Sequence, residues 1–216
     1  MPDNDAKIYT LSEIAKYVGL TEERAERICS RIALKFKLEG FGEEKTIISE
    51  GYSFKNLIEF HAVTAFLPFA ETTPELISEL MDILWTNEPI PHGHYEQKYS
   101  MPYPVSALYE TAVYEAFRRI EYMNGVPVEF HPYCPPFDDF PSSSNLIAIN
   151  PVRNNGKSYL NSYYAGCTST KAIADMYESG YRLEEIDVAL NLPRHSVKSA
   201  LVFELGKSRI ENDSIS

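Results

Sequence analysis

The chain has 216 residues, 44% of them apolar and 12% aromatic, a composition that fills a core and excludes an intrinsically disordered polymer. Its formal charge of −11 argues against a uniformly basic nucleic-acid binder. No apolar run reaches the roughly eighteen residues of a membrane span, and the start lacks the basic-then-apolar pattern of an export signal, so a cytoplasmic setting is expected. Cys29, Cys134 and Cys167, odd in number and without metal spacing, are then expected as reduced thiols.

The first element runs from Glu13 through Ile14, Ala15, Lys16, Tyr17, Val18, Gly19 and Leu20 to Thr21, and on to Ala25 and Ile28. A helix-turn-helix needs a small residue where its helices approach, a residue tolerant of positive φ in the turn, and apolar residues pinning the second helix. Ala15, Gly19 and Ala25 meet those needs, with Ile14, Val18, Leu20 and Ile28 as core. Thr21 is placed to cap the second helix, with Glu22, Glu23 and Glu26 near its positive end. At about 100° per residue, Arg24, Arg27, Arg31 and Lys35 share one stripe, while Ala25, Cys29, Ile32 and Phe36 share another. A basic stripe opposite a buried one suits a phosphate backbone or a groove. The alternative for this helix pair is a packing unit with a solvated face.

Charge is unevenly spread. Residues 1–85 carry nine positive and fifteen negative groups, 86–149 three and eight, and 150–216 eight of each. Between Arg24 and Lys37 five cations face one Glu, so the local field opposes the global one at contact distance. Weak binding by a monomer is expected, and a dimer or a basic partner is needed to hold DNA well, because affinity grows with the number of phosphates neutralised.

Beyond a short β-prone stretch at Thr46-Ile47-Ile48, Ser53 opens a helix from Phe54 to Leu67, and Thr73-Pro74 opens another. Leu76, Ile77, Leu80, Met81, Ile83 and Leu84 give this second helix more apolar surface than a lone surface helix needs, for core or for a partner. Residues 87–104, rich in Pro, His and Tyr, read as irregular. Val105 to Met123 reads as one helix with Val105, Tyr109, Ala112, Val113, Ala116, Ile120 and Met123 on a common face, stopped by Asn124-Gly125. Val126 to Phe130 and Asn145 to Ile149 read as strands, residues 132–144 as a loop, and Gly156 to Tyr164 as a third extended piece.

The opening grammar recurs as Glu185-Ile186-Asp187-Val188-Ala189-Leu190-Asn191-Leu192-Pro193, running on to Val197 and Ala200. Here Asp187 stands where a small residue belongs, and only Arg194, His195 and Lys198 decorate the second helix. Direct base reading is less expected at this copy than at the first.

The run from Tyr164-Ala165-Gly166-Cys167-Thr168-Ser169-Thr170 to Glu178-Ser179-Gly180, then Leu183-Glu184-Glu185-Ile186, Leu192-Pro193 and Ala200-Leu201, resembles the trihelical domain-of-unknown-function family 433. Asn150-Pro151 and Gly156-Lys157 resemble the turn that precedes it there, although Cys167-Thr168-Ser169 replaces the family's Arg-containing variant. An N-terminal helix-turn-helix followed by Tyr52-Ser53-Phe54 to Val63 is similar to the longer VapB-like antitoxins, which place a MerR-like DNA-binding domain ahead of the trihelical one. The resemblance covers most of residues 8–67 and 145–204. It implies repression of the protein's own operon and neutralisation of a PIN-like ribonuclease toxin by direct contact.

Enzyme readings have less to stand on. His92, His94, His131, Cys134, Asp138 and Asp139 are zinc-competent residue types, yet a His-x-His in a Pro-rich loop is ordinary turn chemistry. Asn155-Gly156-Lys157-Ser158 echoes a phosphate loop, but Pro151 occupies the place of its first Gly. Neither a catalytic group nor a metal or other cofactor is expected. The expected fold is therefore mainly α with a small β element (α+β): a winged or MerR-like helix-turn-helix with a helical dimer region in 1–85, an irregular and helical linker in 86–144, a trihelical helix-turn-helix domain in 145–206, and a frayed tail in 207–216. Thr21, Arg24, Arg27, Arg31 and Lys35 are the expected DNA contacts, with Arg194, His195 and Lys198 as a second footprint. The expected partners are operator DNA, a cognate PIN-like toxin and a second copy of the chain. A protein-interaction or scaffold subunit without DNA is the alternative.

Overall fold

A computed structural model describes residues 6–27, 51–66, 74–86, 93–132, 146–162, 166–206 and 210. The architecture is mainly helical with small antiparallel sheets, an α+β arrangement. Two compact units divide the chain, Asp3–Val128 and Glu129–Ser216. Among the described residues no helix is long and apolar enough to cross a membrane.

In the first unit, Thr10 starts α1 (Leu11–Tyr17) by reciprocal capping. Its hydroxyl accepts the Glu13 N–H at 3.2 Å, and the Glu13 carboxylate accepts the Thr10 N–H at 3.0 Å. The helix ends where Gly19 adopts φ 76°, so that the Gly19 N–H reaches the Lys16 carbonyl at 3.1 Å and the Leu20 N–H reaches Ala15 at 2.8 Å. These two bonds satisfy carbonyls that a helix end otherwise leaves open, the Schellman arrangement. The next helix, α2, is described over 22–27. Ile14, Ala15 and Ala25 are buried between them.

Tyr9 pairs with Tyr52 in an antiparallel bridge. Gly51, at φ 83°, permits it, because a Cβ there would lie 3.0 Å from the Tyr9 carbonyl oxygen. Ser53 and Asn56 cap α3 (Phe54–Phe66) reciprocally, at 3.0 and 3.2 Å. This helix buries Phe54, Leu57, Ile58, Phe60, Ala62 and Val63 and packs on α4 (Pro74–Thr86) and α6 (Tyr103–Phe117). The apolar surplus of α4 is core rather than partner surface at Leu76, Leu80, Met81 and Leu84, all buried.

Part of the stretch that reads as irregular is a short helix, α5 (His94–Tyr99), packed on α6. Glu79 of α4 holds it, accepting from His94 Nε2 at 2.6 Å, from Lys98 Nζ at 2.5 Å and from the Tyr99 hydroxyl. The helix expected over 105–123 stops at Phe117, and Ile120–Met123 is instead a strand, β1, paired with β2 (Val126–Phe130). Asn124-Gly125 is therefore a hairpin turn and not a helix stop: φ values of 53° and 76° at successive residues match the right-handed twist of the strands on either side.

In the second unit, β3 (Ile147–Ala148), β4 (Tyr159–Ser162) and β5 (Gly166–Ser169) form an antiparallel sheet in that order, with Ile147 opposite Leu160 and Leu160 opposite Thr168. Phe130 and Ile149 exchange both backbone hydrogen bonds at 2.9 Å. Three helices, α7 (Thr170–Glu178), α8 (Leu183–Leu190) and α9 (Arg194–Leu205), pack on one another around Ile173, Ile186, Val197, Ala200 and Leu201. The α8–α9 turn repeats the α1–α2 turn bond for bond. Asn191 takes φ 51°, its N–H reaches Val188 at 3.3 Å, and the Leu192 N–H reaches Asp187 at 3.0 Å.

Gly19→Ala should cost about 1–2 kcal/mol, the strain of an L side chain in the left-handed region. Asn191→Gly should change stability by less than about 1 kcal/mol, in the stabilising direction, because Asn already tolerates that conformation. Urea unfolding followed by circular dichroism reads both.

Acid lability is expected of the first unit from two groups. Burial, then the Arg119 charge, pushes the His61 imidazole down to about 4, although its Nε2–H donates to the Ala116 carbonyl at 3.3 Å. Burial raises the Glu79 carboxyl, but the hydrogen bonds from Lys98, Tyr99 and His94 outweigh it and hold the group below its usual 4.5. Unfolded His61 takes up a proton near 6.5 that the folded chain refuses, so stability should fall as pH drops from 6.5 to about 4. The Glu79 contribution is full above 4.5 and is lost as pH falls below that value. Denaturation midpoints measured across this range should show both steps, and His61→Gln should flatten only the upper one.

Candidate nucleic-acid interface

Thr21 opens α2 as the sequence requires, its hydroxyl accepting the Arg24 N–H at 3.3 Å. Arg24 and Arg27, three residues apart, lie on one side of the helix and are exposed, opposite the buried Ala25. Arg31 and Lys35, the other two cations of the stripe, lie outside the described residues.

The two described arginines differ in surroundings. Arg27 Nη2 meets Glu23 Oε1 at 2.5 Å, with the side chains 65% and 77% exposed. Arg24 has no ion-pair partner among the described residues. Glu22, Glu23 and Glu26 stabilise the N-terminal end of α2 through the helix dipole and also reduce its positive potential.

The expected second footprint lies on the same backbone turn with different side chains. Arg194 Nη2 meets Glu184 Oε1, in the first turn of α8, at 2.6 Å. The Glu184 carboxyl is held below its usual range by its own backbone N–H at the start of α8 and then by the Arg194 charge. His195 is exposed and Lys198 is half-buried. Beside them, Asp187, Val188, Asn191, Leu192 and Pro193 line a shallow cleft of about 370 Å³, with Val188 80% exposed at its edge. The turn here offers an apolar and acidic surface, where the first offers cations.

Two polar constellations lie in the second unit without a local sequence signal. Glu129 is buried on β2 and accepts from Asn161 Nδ2 at 3.2 Å, from Asn150 Nδ2 at 3.4 Å and from the Tyr159 hydroxyl. Burial, then the Glu129 carboxylate, raises the Tyr159 phenol. Glu204 of α9 accepts from Thr170 at 2.6 Å and from Ser158 at 3.3 Å. Ser158, the last residue of the phosphate-loop echo, is thus committed inside the fold. Only the inward register of Glu129 between Pro127 and the core points to the first constellation, because a buried carboxylate requires donors. Of the zinc-competent residue types, His94 bonds to Glu79, and His131 Nδ1 bonds to the Ile147 carbonyl at 3.1 Å.

No protein-family model matches the chain, and no curated protein matches it. The fold is similar to the crystal structure of Rv2018 from Mycobacterium tuberculosis, with a TM-score of 0.58 and 13% identity, over 91% of this chain and 98% of that one.

Proposed function

We propose that this chain is the antitoxin of a type II toxin–antitoxin pair: a cytoplasmic, dimeric autorepressor that binds operator DNA through the helix opened by Thr21 and neutralises a PIN-like ribonuclease toxin by direct contact. In this reading α1 and α2 belong to a winged or MerR-like helix-turn-helix. The bundle α7–α9 is the trihelical domain of the family-433 resemblance.

The observation that carries the DNA-binding part is the exposed Arg24 and Arg27 pair on a helix whose start is fixed by the Gly19 turn and the Thr21 cap. Guanidinium groups at the start of a helix, projecting away from a buried face, are suited to phosphate and base-edge contacts. The toxin-binding part rests on the resemblance of residues 145–204 and 52–63. A second reading, an interaction or scaffold subunit that does not bind DNA, is favoured by the Glu23–Arg27 and Glu184–Arg194 pairs and by the net charge of −11.

Mobility shift with DNA from upstream of the gene separates the two. Arg24→Ala and Arg27→Ala should each weaken binding by roughly tenfold and each reduce the slope of log affinity against log salt by about 1, as expected for loss of one phosphate contact. An unchanged slope in both variants removes α2 from the contact surface. Co-purification with the product of the adjacent gene tests the toxin.

A further inference from the structure

We infer that Glu23 is a built-in competitor for the polyanion, occupying the Arg27 guanidinium until a phosphate displaces it. The inference rests on the DNA-binding reading of α2 and adds to it a residue that sets affinity.

Three features support it. Glu23 Oε1 sits 2.5 Å from Arg27 Nη2, the place a phosphate oxygen takes in a guanidinium contact. Both side chains are largely solvent-exposed, at 77% for Glu23 and 65% for Arg27, so the pair is weak and readily exchanged. Arg24, one helical turn from Arg27 on the same side, has no such carboxylate among the described residues, so one cation of the pair is open while the other is held.

Exchange leaves a penalty. Once Arg27 has turned to a phosphate, Glu23 still stands about 6 Å along the helix axis from Arg27, four residues at 1.5 Å each. That is within a Debye length of about 8 Å at physiological salt, so it repels the bound phosphate. The carboxylate therefore acts twice, first by occupying the cation and then by opposing its new partner. Low affinity at a single α2 favours the use of two such helices on a paired site over isolated contacts on unrelated DNA.

The test is a double-mutant cycle on the full-length chain, read by fluorescence anisotropy on a labelled duplex of the DNA upstream of its own gene. E23Q should tighten binding roughly three- to tenfold with little change in the salt slope, since Arg27 neutralises the same phosphate in both chains. In the R27A background the same change should yield little. E96Q, which removes an exposed carboxylate from α5, serves as the charge-matched control and should change little. Equal gains from E23Q in the wild-type and R27A backgrounds, or a matching gain from E96Q, show a general charge effect and overturn the inference. Binding that R27A weakens and E23Q leaves unchanged overturns it while sparing the DNA-binding reading. No binding by either the wild-type or the E23Q chain overturns both.

Discussion

The hydrogen bond from the Leu20 N–H back to the Ala15 carbonyl closes α1, and its counterpart from Leu192 to Asp187 closes α8. Each forms only if the preceding residue turns left-handed, which Gly19 does without steric cost and Asn191 does at moderate cost. That reversal sets the direction in which the next helix leaves, and so decides that Ala25 and Val197 face inward while Arg24, Arg27 and Arg194 face water. Cap, turn and burial agree at each copy, and such agreement between local and tertiary preferences is what makes a segment fold one way. A cation stripe has meaning only on a helix whose rotation is fixed, and here the turn fixes it.

Carboxylates fasten the remaining elements. Glu79 ties α4 to α5, Glu129 ties β2 to β4 and to Asn150, and Glu204 ties α9 to Thr170 and Ser158. A carboxylate removed from water needs several donors, and it finds them only in one register of the surrounding elements. These groups therefore select an arrangement more than they add stability. They also qualify what the net charge means: Glu129 and Glu59 count in the sum of −11 but are buried, so they do not form part of an acidic surface. Contact with a polyanion is decided by the few groups within a Debye length, not by the total.

Legibility follows the range of the interaction. The helices at α1, α3, α4, α8 and α9 are readable because caps, periodicity and turn residues act within a few positions of one another: Thr10 with Glu13, Ser53 with Asn56, Gly19 with Leu20. The end of α6 is not, because Asn-Gly serves both as a helix stop and as a hairpin turn, and the choice depends on Ile120–Met123 finding β2 as a partner. The helix α5 escapes a local reading because its main support, Glu79, lies 15 residues from His94. Of the site, residue types and helical angles are legible, but the Glu23–Arg27 pair is not, since i and i+4 spacing permits an ion pair without requiring one.

The two turns show how one backbone device supports different surfaces. The bond that closes each helix is made by a main-chain carbonyl, Ala15 in one and Asp187 in the other, so the side chain at that position does not set the turn geometry. In the first copy it is a buried methyl group. In the second it is a carboxylate lining a cleft with Val188 and Pro193, and the neighbouring cation, Arg194, is drawn back to Glu184. A cleft with an exposed valine at its edge suits an apolar contact better than a sugar-phosphate chain, whose recognition needs donors. On the proposed reading this assigns the nucleic acid to the first copy and leaves the second for a protein. The shared geometry of the turn constrains the direction of the helices, while their outward residues are free to diverge toward different partners.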